Sequence, residues 1–221
     1  MNWNVEVTIL GLLIKGFIIG VVVSAPMGPT GVLCIQRTLN KGRWYGFVTG
    51  LGASLSDIAY ALLTGYGMSF IFDFISANQF YLQLFGSVML LAFGFYTFRS
   101  NPVHSIRPMS QNKSTGTYLH NFFTAFAVTL SNPLIIFLFI GLFARFSFIL
   151  PGIHLYEQII GYLAIALGTL TWWFAITFFV NKVRTKFNLR GIWMINRIIG
   201  GIVIILSILG FCFTLLGASL Y

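Results

Sequence analysis

The chain runs to 221 residues, of which 57% are hydrophobic, 17% aromatic and only 8% charged. A soluble domain has no use for so apolar a composition, which belongs instead to an all-α polytopic membrane protein, read here as one integral membrane domain over residues 1–221. The formal charge of +9 does not imply nucleic acid, because the Lys and Arg residues fall in short runs between apolar segments and form no contiguous basic face.

A membrane-crossing helix needs roughly 20 apolar residues, and the sequence supplies six such runs, near 8–35, 45–72, 79–98, 121–145, 157–180 and 195–219. The first is too long for one upright span, and the stretch 23–31 inside it reads Val-Ser-Ala-Pro-Met-Gly-Pro-Thr-Gly. Proline lacks an amide hydrogen, clashes with the preceding turn and biases the residue before it away from helix, so the span is expected to break at Pro26, Gly28 and Pro29. Backbone groups freed at membrane depth survive only inside protein or against a wet cavity. Pro29 suits the first turn of a new half-helix, whose amides at Thr30, Gly31 and Val32 would form a positive end that attracts an anion such as a carboxylate. A plain proline kink is the alternative. Val23-Ser24-Ala25 also loosely resembles a signal-peptide cleavage site, but Glu6 stands where a basic region belongs, Lys15 lies within the apolar run, and the run continues to Ile35. Lys15 is expected to snorkel.

In the second run Gly46, Gly50, Ala53, Ser54, Asp57 and Ala61 fall within about one third of a helical turn at 3.6 residues per turn. A face of small residues packs closely against other helices, so Asp57 is expected to point into the bundle near mid-membrane. A carboxylate there costs roughly 2.5 kcal/mol or more and by default marks a ligand, a partner or a proton pathway. The bland alternative is a carboxyl that stays neutral, or pairs with Lys15 or Ser54, to fix helix packing. The fifth run shows a similar small face in Gly161, Ala164, Gly168, Thr171 and Ala175, without an acid and with Trp172 and Trp173 beside it. Either Trp could cover an ammonium or pack in the core.

The polar stretch 100–118 reads as a cytoplasmic connector between a first half, 1–99, and a second, 119–221. Three spans in each half make the second enter the membrane in the opposite sense, an inverted repeat with helices 1 and 4 broken. Ser24-Ala25-Pro26 is matched by Ser131-Asn132-Pro133, and Leu51-Gly52 by Leu167-Gly168. With both termini outside, the inner loops collect nearly all the Lys and Arg, and Arg145 alone falls outside. The basic run 181–197, with Trp193, is expected to anchor at the inner leaflet.

The spans carry no clustered Glu, Asp or His, which disfavours a metal site. Cys34 and Cys212 fall at opposite depths and cannot pair. His104, His120 and His154 lie near interfaces without a nucleophile at usable spacing, so nothing reads as an enzyme and no cofactor is expected.

The run from Ser24 to Gly46, followed by Gly52-Ala53-Ser54-Leu55-Ser56-Asp57, resembles the amino-terminal signature of the LysE/RhtB family of amino-acid exporters. Gly28-Pro29, Arg37-Thr38, Gly42-Arg43, Gly46 and Asp57 occur in the family's order, and Leu130-Ser131-Asn132-Pro133 resembles its second signature. Met27 between Pro26 and Gly28, and Ser56 where the family has glycine, depart from the pattern. The resemblance implies a bacterial cytoplasmic (inner) membrane protein that exports amino acids or similar amphoteric solutes, driven by the proton motive force. Partners are then a small-molecule substrate and the lipid bilayer, with a homodimer left open. Combined with the residues above, substrate contacts are expected from Pro26, Gly28, Pro29, Thr30, Gly31, Asp57, Asn132 and Pro133, with amides after Pro29 and Pro133 holding a carboxylate. Asp57 would offset an ammonium or carry the coupling proton. A thiol-redox carrier of related architecture would want cysteine beside the prolines, where this chain has Ala25 and Met27; a non-transporting scaffold is the other alternative.

Overall fold

The computed structural model describes residues 9–26, 28–70, 79–99, 117–132, 134–148, 154–182 and 189–215. Glu6, Met27, Asp73, His104, Pro133 and the connector over 100–116 lie outside them, as do Arg184, Lys186 and the side chains of Arg190 and Trp193. Among the described residues the secondary structure is entirely helical, and the helices are α1 (Ile9–Ser24), α2 (Pro29–Lys41), α3 (Arg43–Phe70), α4 (Gln79–Arg99), α5 (Tyr118–Leu130), α6 (Leu134–Arg145), α7 (Leu155–Lys182) and α8 (Leu189–Leu215). Each of the six apolar runs is therefore helical where it is described, and the first and fourth are each split in two.

Among the described residues Arg43–Met68, Leu155–Lys182 and Arg197–Leu215 are long and apolar enough to cross a membrane, and the count rises to as many as five when each bent pair is taken as one span. Exposed Leu, Ile and Phe side chains run along α1, α4, α7 and α8. Faces of that extent on a polytopic chain are covered by lipid. Together they make this a multi-pass membrane protein.

Glycine decides which helices touch. On α1 and α7 the backbones meet so closely that a Cβ on Gly20 would strike the Ile165 carbonyl, and one on Gly168 the Phe17 carbonyl. In the same way α3 rests on α5 where Gly52 faces the Phe122 carbonyl, and α4 rests on α8 where Gly200 faces the Phe98 backbone. These three pairs carry the most extensive contacts in the molecule, the close packing that small residues permit between membrane helices. Between α2 and α3 the chain turns at Gly42, whose φ of 102° is open to glycine and strained for other residues. Its amide donates to the Thr38 carbonyl at 3.0 Å, and Gly46 then lies against Thr38 and Cys34.

Two apolar cores result. One gathers Ile19, Val23, Ala61, Leu138, Phe139, Leu142, Phe143 and Ile165 from α1, α3, α6 and α7. The other gathers Cys34, Ile35, Ala53, Trp173, Ile176 and Val180 from α2, α3 and α7.

Candidate functional site

Helix α1 ends at Ser24, with the Ala25 amide still donating to the Val21 carbonyl at 2.9 Å. Beyond Pro26 the Gly28 amide folds back onto the Pro26 carbonyl at 2.8 Å. Gly28 is extended, with φ −72° and ψ −169°, and Pro29 takes the first position of α2, where its missing donor costs nothing. The two helix axes differ by 78°. The Val32 amide donates to the Gly28 carbonyl at 3.1 Å, so the expected trio of free amides reduces to Thr30 and Gly31, the two N-terminal donors that an α-helix leaves without an intrahelical acceptor.

The second break bends the chain by 70° but treats its backbone differently. The Ser131 and Asn132 amides donate to the carbonyls of Ala127 and Thr129 at 2.9 and 3.0 Å. Asn132 Oδ1 accepts from the Leu134 amide at 3.2 Å, and the Asn132 carbonyl accepts from the Ile135 amide at 3.3 Å. The first two described amides after Pro133 are thus occupied, so the expected second carboxylate-binding end is filled from within. Asn132 serves as its cap, because an Asx side chain two residues before a free amide satisfies it at short range.

Helix α3 joins the breaks. Asp57 is only 2% exposed, and Ser24 Oγ, at the end of α1, donates to Asp57 Oδ2 at 2.9 Å. Neither Lys15 nor Ser54 supplies this hydrogen bond; Ser54 Oγ is buried without a partner among the described residues. One turn later Tyr60 Oη donates to the Leu130 carbonyl at 2.6 Å and lies 3.4 Å from the Asn132 carbonyl. Ser56 Oγ donates to the Phe126 carbonyl at 2.8 Å, and the Thr30 and Thr129 hydroxyls meet at 2.8 Å, linking α2 directly to α5. The small face expected on α3 is buried throughout: Gly46, Gly50, Ala53, Ser54, Asp57 and Ala61 are all enclosed.

Around this turn lies a cavity of about 580 Å³, within the range of small-molecule sites. Pro26, Gly28, Pro29, Thr30, Gly31, Asp57 and Asn132 all line it, so the structure brings together every expected site residue that it describes. It adds residues that the sequence did not single out for a site: Ser24, Gln36 and Thr129 on the polar side, and Phe93, Tyr96, Thr97, Ile135 and Leu138 from α4 and α6. Of the tandem tryptophans Trp173 lines the cavity; its ring covers Gly50. Here the small face expected on α7 is corrected. Gly161, Ala164 and Gly168 are buried against α1 or Phe148, whereas Thr171 is exposed and Ala175 half-buried. Trp173, Ile176, Thr177 and Val180 bury the lower turns instead, since α7 passes there from α1 onto α3.

The arrangement is suited to an amphoteric molecule. A carboxyl held by a serine hydroxyl can accept an ammonium or a proton, and two helix-end amides offer a place for a carboxylate. No group of three or more His, Cys, Asp or Glu that could hold a metal occurs among the described residues. Cys34 is buried, with its Sγ 3.3 Å from the Gly46 carbonyl, and both it and the exposed Cys212 are free thiols.

Residues 21–216 match the family described as LysE type translocator. A curated relative from Bacillus subtilis (strain 168), named "Putative amino acid efflux protein YcgF", is 26% identical over 193 residues, covering 83% of this chain and 88% of the relative. No solved structure matches the chain.

Proposed function

This chain belongs to the LysE type translocator family, and from that premise we propose that it is a secondary transporter exporting amino acids or similar small amphoteric solutes across a bacterial cytoplasmic membrane, driven by the proton motive force. The observation that carries the proposal is the single turn of α3 from Asp57 to Tyr60 that holds the ends of both broken helices beside one cavity. A helix broken at membrane depth is tolerated where it lines a cavity, and transporters built from repeats place their sites at such breaks. The efflux role in the name of the Bacillus subtilis relative agrees with it.

In this account the Thr30 and Gly31 amides receive the substrate carboxylate. Asp57, oriented by Ser24, takes the substrate ammonium or a proton but not both, which makes outward substrate and inward proton alternate on one carboxyl. Gly28, Pro26 and Pro29 shape the opening, and Asn132 holds the opposite rim.

The α4 helix, of 21 residues, reaches about 31 Å at 1.5 Å per residue, enough to be the sixth span. Two inverted halves, 1–99 and 119–221, are supported by reciprocal packing: the first part of each broken span lies on the unbroken span of the other half, α1 on α7 and α5 on α3, while the third and sixth spans, α4 and α8, pair with each other. An outside position for both termini is supported by the Lys and Arg that this arrangement collects on the inner side, Arg37, Lys41, Arg43, Arg99, Arg107, Lys113, Lys182, Arg184, Lys186, Arg190 and Arg197, against Arg145 on the outer. Rocking of one half on the other would expose the cavity alternately.

Comparison of amino acids released into the medium by cells with and without the gene, fed dipeptides to raise internal pools, tests export itself. Accumulation outside only in cells carrying the gene is the expected result; identical media would overturn the proposal. Orientation is tested with Cys34 and Cys212 replaced by Ser and single cysteines introduced elsewhere. Sites beside Asp73 and Glu157 should label from outside in intact cells, and labelling within 100–117 instead would reverse the topology.

A further inference from the structure

We propose that the exported solute is a neutral amino acid with a bulky apolar or aromatic side chain, and that dibasic and dicarboxylic amino acids are rejected. The proposal rests on the export reading above and narrows it by two features of the same cavity, its charge and the division of its wall.

Among the described residues lining the cavity Asp57 is the one acid, and no Lys, Arg or His lines it. Arg37, one residue beyond the lining residue Gln36, is turned to other work, donating to Thr49 Oγ1 at 3.1 Å and the Asn121 carbonyl at 2.9 Å. An amino acid that places its ammonium on Asp57 and its carboxylate on the Thr30 and Gly31 amides therefore uses all the charge complementarity the cavity holds. A second ammonium would find no second acid. A second carboxylate would find no cation, and the Leu134 and Ile135 amides at the other break are already bonded. A charge taken from water into such a place without a partner is penalised far more heavily than a neutral side chain.

The wall that remains is apolar on one side. Phe93 of α4 and Ile135 and Leu138 of α6 belong to one packed cluster and line the cavity together, on helices that lie against each other. Most of the polar groups, Ser24, Thr30, Gln36, Asp57 and Thr129, come from α1, α2, α3 and α5, and α4 adds Tyr96 and Thr97 beside Phe93. A ligand with a charged head and an apolar side chain matches that division, whereas a small one such as alanine leaves the wall unfilled. An apolar pocket discriminates by about tenfold or more per missing methylene at its best.

Flux of leucine, phenylalanine, alanine, lysine and glutamate through the full-length protein in liposomes under an imposed pH gradient tests this. Leucine and phenylalanine should exceed lysine and glutamate at least tenfold and alanine by about tenfold. Phe93→Ala should lower the ratio of phenylalanine to alanine flux about tenfold, and an unchanged ratio in a folded variant would remove the apolar wall from the account. Lysine or glutamate moving as fast as leucine would overturn the proposal while leaving amino-acid export intact. Absence of flux for all five would overturn the export reading and this proposal with it. The ranking in the unmodified protein decides the matter even where a variant fails to fold.

Discussion

The two helix breaks begin from similar residues, Ser24-Ala25-Pro26 and Ser131-Asn132-Pro133, and bend the chain by similar angles, 78° and 70°, yet they dispose of their backbone in different ways. At the second, Asn132 caps the Leu134 amide, Ser131 Oγ donates to the Ala127 carbonyl at 2.7 Å, and Tyr60 donates to the Leu130 carbonyl. At the first, Ser24 reaches away from its own backbone to Asp57, and the N-cap of the new half-helix is Gly28, which has no side chain to cap with where the second break has Asn132. A single residue thus separates a break closed by its own side chains from one whose helix end remains available to a ligand. In the proposed account the first break binds and the second holds the frame.

That division can be broken by experiment. A large effect on stability is expected from Tyr60→Phe, which leaves the Leu130 carbonyl without its side-chain donor at membrane depth and should cost about 1–3 kcal/mol. Thermal unfolding in detergent should register the loss, while flux per folded molecule stays within about twofold. A drop in flux at unchanged stability would place Tyr60 among the binding groups. Ser24→Ala should differ in its effect on flux: leaving the buried Asp57 carboxyl without its donor lowers stability by a comparable amount, but flux per folded molecule should also fall about tenfold. Normal flux would show that Ser24 does not orient the carboxyl.

Asn132 offers the finer test. Asn132→Ala should lower stability by about 1 kcal/mol through loss of the cap. Asn132→Ser keeps a capping oxygen and should leave both stability and flux close to those of the unmodified protein. If the Ser variant folds normally but loses flux, the Asn side chain touches substrate and the second break binds after all.

The contrast between the breaks was only half legible in the sequence. Proline and glycine announce where a helix must stop, because their effect is local, and the small face that carries Asp57 on α3 follows from a fixed period of 3.6 residues. Both survive in the fold as expected. What periodicity does not convey is which distant group completes each break. Ser24 and Tyr60 are ordinary polar residues at helical spacing, and their partners are chosen by how α1 and α5 dock on α3. The cavity wall from α4 was equally hidden, since Phe93 and Tyr96 are two aromatics among many in a helix that is apolar around most of its circumference. On α7 the glycine and alanine period continues to Thr171 and Ala175, but the neighbour changes, and Trp173 takes the buried position because the helix leaves α1 for α3.

The central claim is that Asp57 serves export rather than packing, and Asp57→Asn tests it most directly. Asn is nearly the same size and can still accept from Ser24, so the variant should accumulate and unfold as the unmodified protein does. Its efflux from intact cells should fall to background. Efflux by the unmodified protein should weaken as external pH rises toward the internal value, because fewer protons are delivered to the carboxyl from outside, and any residual efflux by the variant should be flat over the same range. Full efflux by a normally folded Asp57→Asn protein at every pH tested would contradict the account.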